Sequence, residues 1–218
     1  MDADVFSKRG VGYFEKGDFG KAISDSTEAL RLNPRSANAH FIRGGAYLKQ
    51  HDCEKALVDF NEATRLDPKF FPVYYIRGLI WAKTYNEYDK AIADFTEAIR
   101  LNPKDADYYC DRGLAYGGKN DLDKAIVDLN EAIRLAPKDD RAYGGRGIVY
   151  IDKFEYGKAI ADFTQAIRLN PKCAQAYYGR GWVYHQIGEN AKAEADCAHA
   201  KKLGYDGAEV SMKHLLHE

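Results

Sequence analysis

Apolar residues recur along this chain with a helical period, in short stretches that come in pairs. The clearest pair spans Ala142 to Pro171, AYGGRGIVYIDKFEYGKAIADFTQAIRLNP, with the polar turn DKFEYGK between its two halves. In the second half Ala159, Phe163 and Ala166 fall at i, i+4 and i+7, one face of an amphipathic helix. A similar string appears six times. Prolines keep the count: Pro34, Pro68, Pro103, Pro137 and Pro171 are spaced 34, 35, 34 and 34 residues apart. A fixed period of this length specifies stacked supersecondary units rather than a mixed globular fold. With the proline as position 32, the units span about 3–36, 37–70, 71–105, 106–139, 140–173 and 174–205. The third carries one extra residue, in the turn around Tyr85 to Tyr88.

Some positions hold one residue type throughout. Position 8 is Gly10, Gly44, Gly78, Gly113, Gly147 and Gly181; position 11 is Tyr13, Tyr47, Trp81, Tyr116, Tyr150 and Tyr184. Positions 20 and 27 are always alanine, from Ala22 and Ala29 to Ala193 and Ala200. Small residues let two helices cross closely, and the aromatic fills the space beside them. This pattern resembles the tetratricopeptide repeat family over about residues 3–205. The resemblance implies an all-α fold, a right-handed superhelical solenoid of helix-turn-helix repeats whose first helices line a concave, ligand-binding face. One two-helix unit cannot bury its apolar face, but stacked neighbours can, so residues 1–218 are expected to form a single solenoid domain. Ala208, Met212, Leu215 and Leu216 predict a capping helix over about 207–217. Ser26, polar in the middle of the second-helix stripe, fits an end unit.

A second pattern is made of charges. Position 7 is Arg9, Arg43, Arg77, Arg112, Arg146 and Arg180, and position 23 is Asp25, Asp59, Asp94, Asp128, Asp162 and Asp196. On the helical wheel Asp162 falls between Ala166 and Leu169, inside the apolar stripe, and a partly buried carboxylate needs a partner. The lysine at position 19, four residues earlier, is one candidate. The arginine at position 7, able to give two parallel hydrogen bonds, is the other. The apolar flanks favour arginine, in its own unit or a neighbour. Repeated sixfold, such pairs read as architecture that sets register, not as an active site.

Composition narrows the function. Lys+Arg (32) and Asp+Glu (33) nearly cancel, which gives no electrostatic footprint for nucleic acid. No apolar run is long enough to span a membrane, and the start MDADVFSKRG does not read as a signal peptide. Cys53, Cys110, Cys173 and Cys197 form no CxxC pair, so neither a zinc site nor a disulfide framework is expected, and free thiols point to the cytoplasm. Cys110 reads either as an exposed thiol or as a small filler. His214 and His217 alone do not make a metal site. GGRG at Gly144–Gly147 follows no strand and so is not a phosphate loop. No catalytic residue, cofactor or metal is expected, and the chain reads as a non-enzyme.

Carried over from the family, the groove-facing positions of the first helices give an aromatic-rich set. The expected peptide-binding residues are Phe14, Phe41, Leu48, Tyr75, Leu79, Asp111, Leu114, Arg141, Ile148, Tyr178 and Trp182. The lysine–asparagine clamp for chaperone tails and the asparagine ladder of glycosyltransferase repeats have no counterpart at the matching positions. Gly117, Gly118, Gly144 and Gly145 predict a hollow in the groove wall, edged by Asp111, Arg141 and Ile148, for a bulky partner side chain. The expected function is a protein–protein interaction scaffold holding a peptide or protein segment in the concave groove. Two alternatives stand beside it: a homo-oligomeric assembly module using the groove or end caps, with a homodimer through the C-terminal helix, and the interaction part of a larger enzyme or secretion complex.

Overall fold

A computed structural model describes residues 2–205, which form helices joined by short turns. The expected capping helix over 207–217 and the pair His214 and His217 lie outside the described residues. The helices are α1 (Ala3–Glu15), α2 (Phe19–Leu32), α3 (Ala37–Lys49), α4 (Cys53–Leu66), α5 (Phe71–Lys83) and α6 (Tyr88–Leu101), followed by α7 (Ala106–Gly118), α8 (Leu122–Leu135), α9 (Asp140–Asp152), α10 (Tyr156–Leu169), α11 (Ala174–Gln186) and α12 (Asn190–Lys202). The α5–α6 turn holds the extra residue. Contacts divide the chain after Pro103 into two compact blocks, one carrying α1–α6 and the other α7–α12.

Local chemistry starts and stops these helices. Asp18, Ser36, Asp52, Asp105 and Asp139 stand at N-caps, and their side chains accept backbone N–H bonds. The two helices of a repeat cross where the first has glycine. A Cβ built on Gly78 would lie 2.7 Å from the Phe95 ring, and one on Gly147 2.9 Å from Phe163. Only glycine permits that approach, which in turn buries each ring completely or nearly so. Burying such a ring contributes about 1.5–3 kcal/mol. In the first block Ala56, Phe60, Ala63, Val73 and Ile80 form the main cluster. In the second block one cluster gathers around Leu129 and Val149 and another around Phe163 and Val183.

The turn inside every repeat contains one left-handed residue. These are Gly17 (φ 77°), His51 (63°), Asn86 (54°), Asn120 (63°), Phe154 (59°) and Gly188 (78°). Glycine and asparagine suit that conformation; a bulky side chain does not. The left-handed region costs an ordinary L-residue about 1–2 kcal/mol. Phe154 is 78% exposed, so burial of its ring does little to offset the strain.

Candidate functional site

The charged residues resolve into two separate ladders. Arg43 donates from Nε and Nη2 to both oxygens of Asp59, each at 2.8 Å. The same fork joins Arg77 to Asp94, Arg112 to Asp128, Arg146 to Asp162 and Arg180 to Asp196 at 2.6–2.9 Å, and Arg9 to Asp25. All six aspartates are buried. The carboxylate therefore belongs to the arginine's own repeat. The remaining Nη1 reaches back to the preceding one: Arg43 to Thr27, Arg77 to Asn61, Arg146 to Asn130 and Arg180 to Thr164. Each of these four guanidiniums thus ties two helices of one repeat to the second helix of the repeat before.

The lysine at position 19 takes no part. It pairs instead with the acid three residues earlier, as Lys55 does with Asp52 at 2.6 Å, and lays its Nζ over the aromatic of position 11. Lys90 sits 4.6 Å from the Trp81 ring centre, Lys55 5.3 Å from Tyr47 and Lys158 5.3 Å from Tyr150. Acid–x–x–Lys at each turn was the overlooked signal. Burial pulls the Asp59 carboxyl up, but hydrogen bonds from Arg43 and His40 outweigh it and hold it below its ordinary range. At Asp94 burial wins over Arg77, and that carboxyl is held above its ordinary range.

The residues expected to line the groove divide by block. In the first, the Phe14 ring lies against Gly45 of α3 and 5.6 Å from Phe19. Phe41 packs between Phe60 and Phe70, with ring centres 6.1 and 4.9 Å away, and Leu48 joins the same core. Tyr75 packs on Phe95 at 5.9 Å, and Leu79 is half-buried beside it in α5. These rings mostly fill the structure. In the second block Leu114 and Ile148 are exposed, 37% and 52%. Tyr178 stacks on Tyr205, and Trp182 meets Tyr156 edge-on. Asp111 is buried rather than groove-lining, and Arg141 reaches it from above. Cys110 is wholly buried, and burial pushes its thiol up to about 12, which removes the exposed-thiol reading and leaves the filler.

One cavity stands out in the second block. Its volume is about 350 Å³, and its lining includes Leu114, Arg141, Gly144, Gly145, Ile148, Phe163 and Ala176. Its origin can be read position by position. Phe41 and Tyr75 occupy position 5 of their repeats and cover Phe60 and Phe95 at position 24. In the fifth repeat position 24 is again a ring, Phe163, but position 5 is Gly144. A Cβ built on Gly144 would meet nothing within 4 Å. Gly145, in contrast, is pressed by Leu114, 2.8 Å from where its Cβ would be. Gly117 and Gly118 do not line the cavity, and a Cβ on Gly117 would touch Val149. The hollow is thus made by one glycine pair, not two.

The rim is polar. Arg141 donates to Asp107 and Asp111, each at 2.9 Å, and Asp140 accepts from Asn170 at 3.0 Å. Burial alone would favour a neutral Arg141, but Asp111 and Asp107 outweigh it and hold the guanidinium charged. An apolar pocket with a fixed polar rim can take a bulky apolar side chain and orient the chain that bears it. Among the described residues no group of three or more His, Cys, Asp or Glu could hold a metal ion.

The tetratricopeptide repeat model matches residues 8–69 and 145–206, more than half of the sequence. The chain belongs to the tetratricopeptide repeat family. Two further models of these repeats match residues 86–120 and 106–139. Among solved structures, a MamA protein is 28% identical with a TM-score of 0.72, over 79% of this chain and 94% of that one. PilF of Pseudomonas aeruginosa is 17% identical with a TM-score of 0.75, covering 96% and 97%. PilW, a type IV pilus biogenesis factor, is 15% identical with a TM-score of 0.81, covering 96% and 98%. The last two likenesses concern the fold alone. No curated protein matches the chain. Tetratricopeptide repeat proteins are protein–protein interaction scaffolds, generally without enzymatic activity, and this chain is a scaffold of that kind. No helix among the described residues is long and apolar enough to cross a membrane.

Proposed function

We propose that this scaffold binds a partner segment along the first helices of its second block and anchors it by one aromatic side chain in the cavity at Gly144. The carrying observation is the substitution of glycine for a ring over Phe163, where Phe41 and Tyr75 cover the equivalent positions. A ring supplied by the partner would complete the same aromatic pair, buried where it is worth most. Ile148 and Leu114, both exposed beside the cavity, extend the apolar contact. Arg141, held by Asp107 and Asp111, gives the partner backbone or a polar neighbour a fixed donor. Tyr178 and Trp182 on α11 continue the binding face. The four cysteines are free thiols, which suits a reducing compartment, and we place the scaffold in the cytoplasm.

Panning a displayed library of random peptides tests this reading. The wild-type protein should enrich sequences that share one aromatic residue, and Gly144→Leu, which fills the cavity, should lose them while keeping its helical circular dichroism. Enrichment that survives Gly144→Leu unchanged, or no enrichment from either protein, overturns it.

A further inference from the structure

The chain that carries this socket also carries an aromatic ring that the described residues leave largely open. Phe154 is 78% exposed and sits at the left-handed turn position that the other repeats give to glycine, asparagine or histidine. Among the described residues its ring has one aromatic neighbour, Tyr156, edge-on at 6.3 Å. We propose that the cavity at Gly144 receives Phe154 of a second copy, so that the chain assembles with itself through a ring-in-socket contact. This inference rests on reading the cavity as a socket for an aromatic side chain and names the occupant.

Size, position and charge agree. An apolar cavity of roughly 150 Å³ already holds a benzene ring, and this one has about 350 Å³. Its floor is Phe163, whose counterparts Phe60 and Phe95 are each covered by a ring from their own repeat. The ring must come from another molecule. Gly144 lies in the first half of α9, Phe154 beyond its C-terminal end, and Gly144 to Asp152 alone spans roughly 12 Å of rigid helix. Charge points the same way. The socket's rim carries Asp140 and Arg141, and the charge of Arg141 is outweighed by Asp107, half exposed just beyond the rim, together with the buried Asp111. Lys153 immediately precedes the ring; Asp152 before it is exposed, and Glu155 after the ring is taken up by Lys158. The Lys153 ammonium now bonds Asp123; the carboxylate is 88% exposed and the lysine side chain 27%, so the pair is open to water at its acid end. Ring and socket are different surfaces, so the contact is heterologous and grows head to tail unless it closes into a ring of subunits.

Light scattering across a concentration series, on the full chain, tests the proposal with two complementary variants. Phe154→Asn puts a residue used at the same turn by Asn86 and Asn120 in place of the ring, so it retains the fold. Gly144→Leu blocks the socket in open space. Wild type should rise with concentration to a mass of at least twice the 24.6 kDa of one chain. Each variant alone should stay at one chain. Mixed one to one they should form a dimer and nothing larger, because one supplies the socket and the other the ring. A wild type that stays monomeric, a Phe154→Asn protein that assembles like wild type, or a mixture that does not pair overturns the proposal. Panning the random-peptide library on Phe154→Asn separates the two readings. Aromatic peptides captured by a protein that does not self-assemble sink only the self-contact, and none captured sinks the socket as well.

Discussion

Arg146 grips Asp162 by both carboxylate oxygens, at 2.7 Å each, and its third nitrogen reaches Asn130 in the preceding repeat. The pair is more than a local ion bridge. It fixes the crossing of α9 and α10 and links that crossing to α8. Removing one partner of such a buried pair costs about 3–5 kcal/mol, because the other is left desolvated and unpaired. In a double-mutant cycle by urea unfolding, Arg146→Ala and Asp162→Ala should therefore show a coupling of about 1–3 kcal/mol. Arg146→Lys should not rescue, since an ammonium cannot span both oxygens and Asn130. Near-zero coupling would leave the ladder decorative.

Acid should separate two repeats that look alike. Asp59 has its carboxyl held low, with Arg43 and His40 overcoming burial, so the stability it contributes is present above the unfolded carboxylate pKa and lost as pH falls through the lower folded value. Asp94 is the reverse case: burial holds its carboxyl high despite Arg77, so its contribution is full below the unfolded pKa and is lost as pH rises through the folded value. At pH 7 Asp59→Asn should thus lower the urea midpoint more than Asp94→Asn. The gap should close as the solution is taken below about pH 4, the ordinary carboxylate range. His40→Phe should shrink the gap at pH 7 by taking away one of the two donors to Asp59. The opposite ranking at pH 7 would refute the assignment.

Much of this was legible in the sequence because a repeat compares each position with itself. The period and the close crossings at the glycines follow from that comparison, and the choice of arginine over lysine for Asp162 follows from its apolar flanks. The glycines located the hollow at Gly144. What stayed hidden depends on where side chains end up. Phe41 and Tyr75 at position 5 and Leu114 and Ile148 at position 9 were all expected to face the groove, yet the two rings fold down onto Phe60 and Phe95 while Leu114 and Ile148 stay exposed. Asp111 reads as a polar wall residue but is buried under Arg141. The lysine laid over each position-11 ring needed the geometry of the turn. Phe154 was visible as a letter, but its left-handed backbone was not.

Three glycines around the cavity should respond to substitution in opposite directions. Gly144 faces open space, so Gly144→Ala gains helix propensity, about 0.8–1 kcal/mol. A Cβ on Gly179 would lie 2.6 Å from the Phe163 ring and one on Gly145 2.8 Å from Leu114. Gly179→Ala must push a buried ring and should cost about 1–3 kcal/mol. Gly145→Ala falls between, because Leu114 is partly exposed and can turn away. Thermal unfolding of the three variants orders them directly. A destabilised Gly144→Ala would mean that the helix there is not free to accept a side chain.

Ser26 offers the converse test, a polar group where its counterparts are Phe60, Phe95, Leu129, Phe163 and Cys197. It is 1% exposed, and its hydroxyl has no hydrogen-bond partner among the described residues. A buried hydroxyl left unpaired loses its water contacts and gains nothing in return. Ser26→Ala removes that group without orphaning another, and the cavity it leaves is smaller than a methyl. It should raise stability by about 1 kcal/mol, seen as a higher urea midpoint with an unchanged slope. Adding bulk is a different matter, since the Ser26 oxygen already lies 3.1 Å from where a Cβ on Gly10 would stand. Ser26→Phe, copying the later repeats, should therefore need Gly10 to remain glycine, and Gly10→Ala should be tolerated with Ser26→Ala but not with Ser26→Phe. A loss of stability on Ser26→Ala would show that the hydroxyl is bonded in solution and that the first repeat uses it.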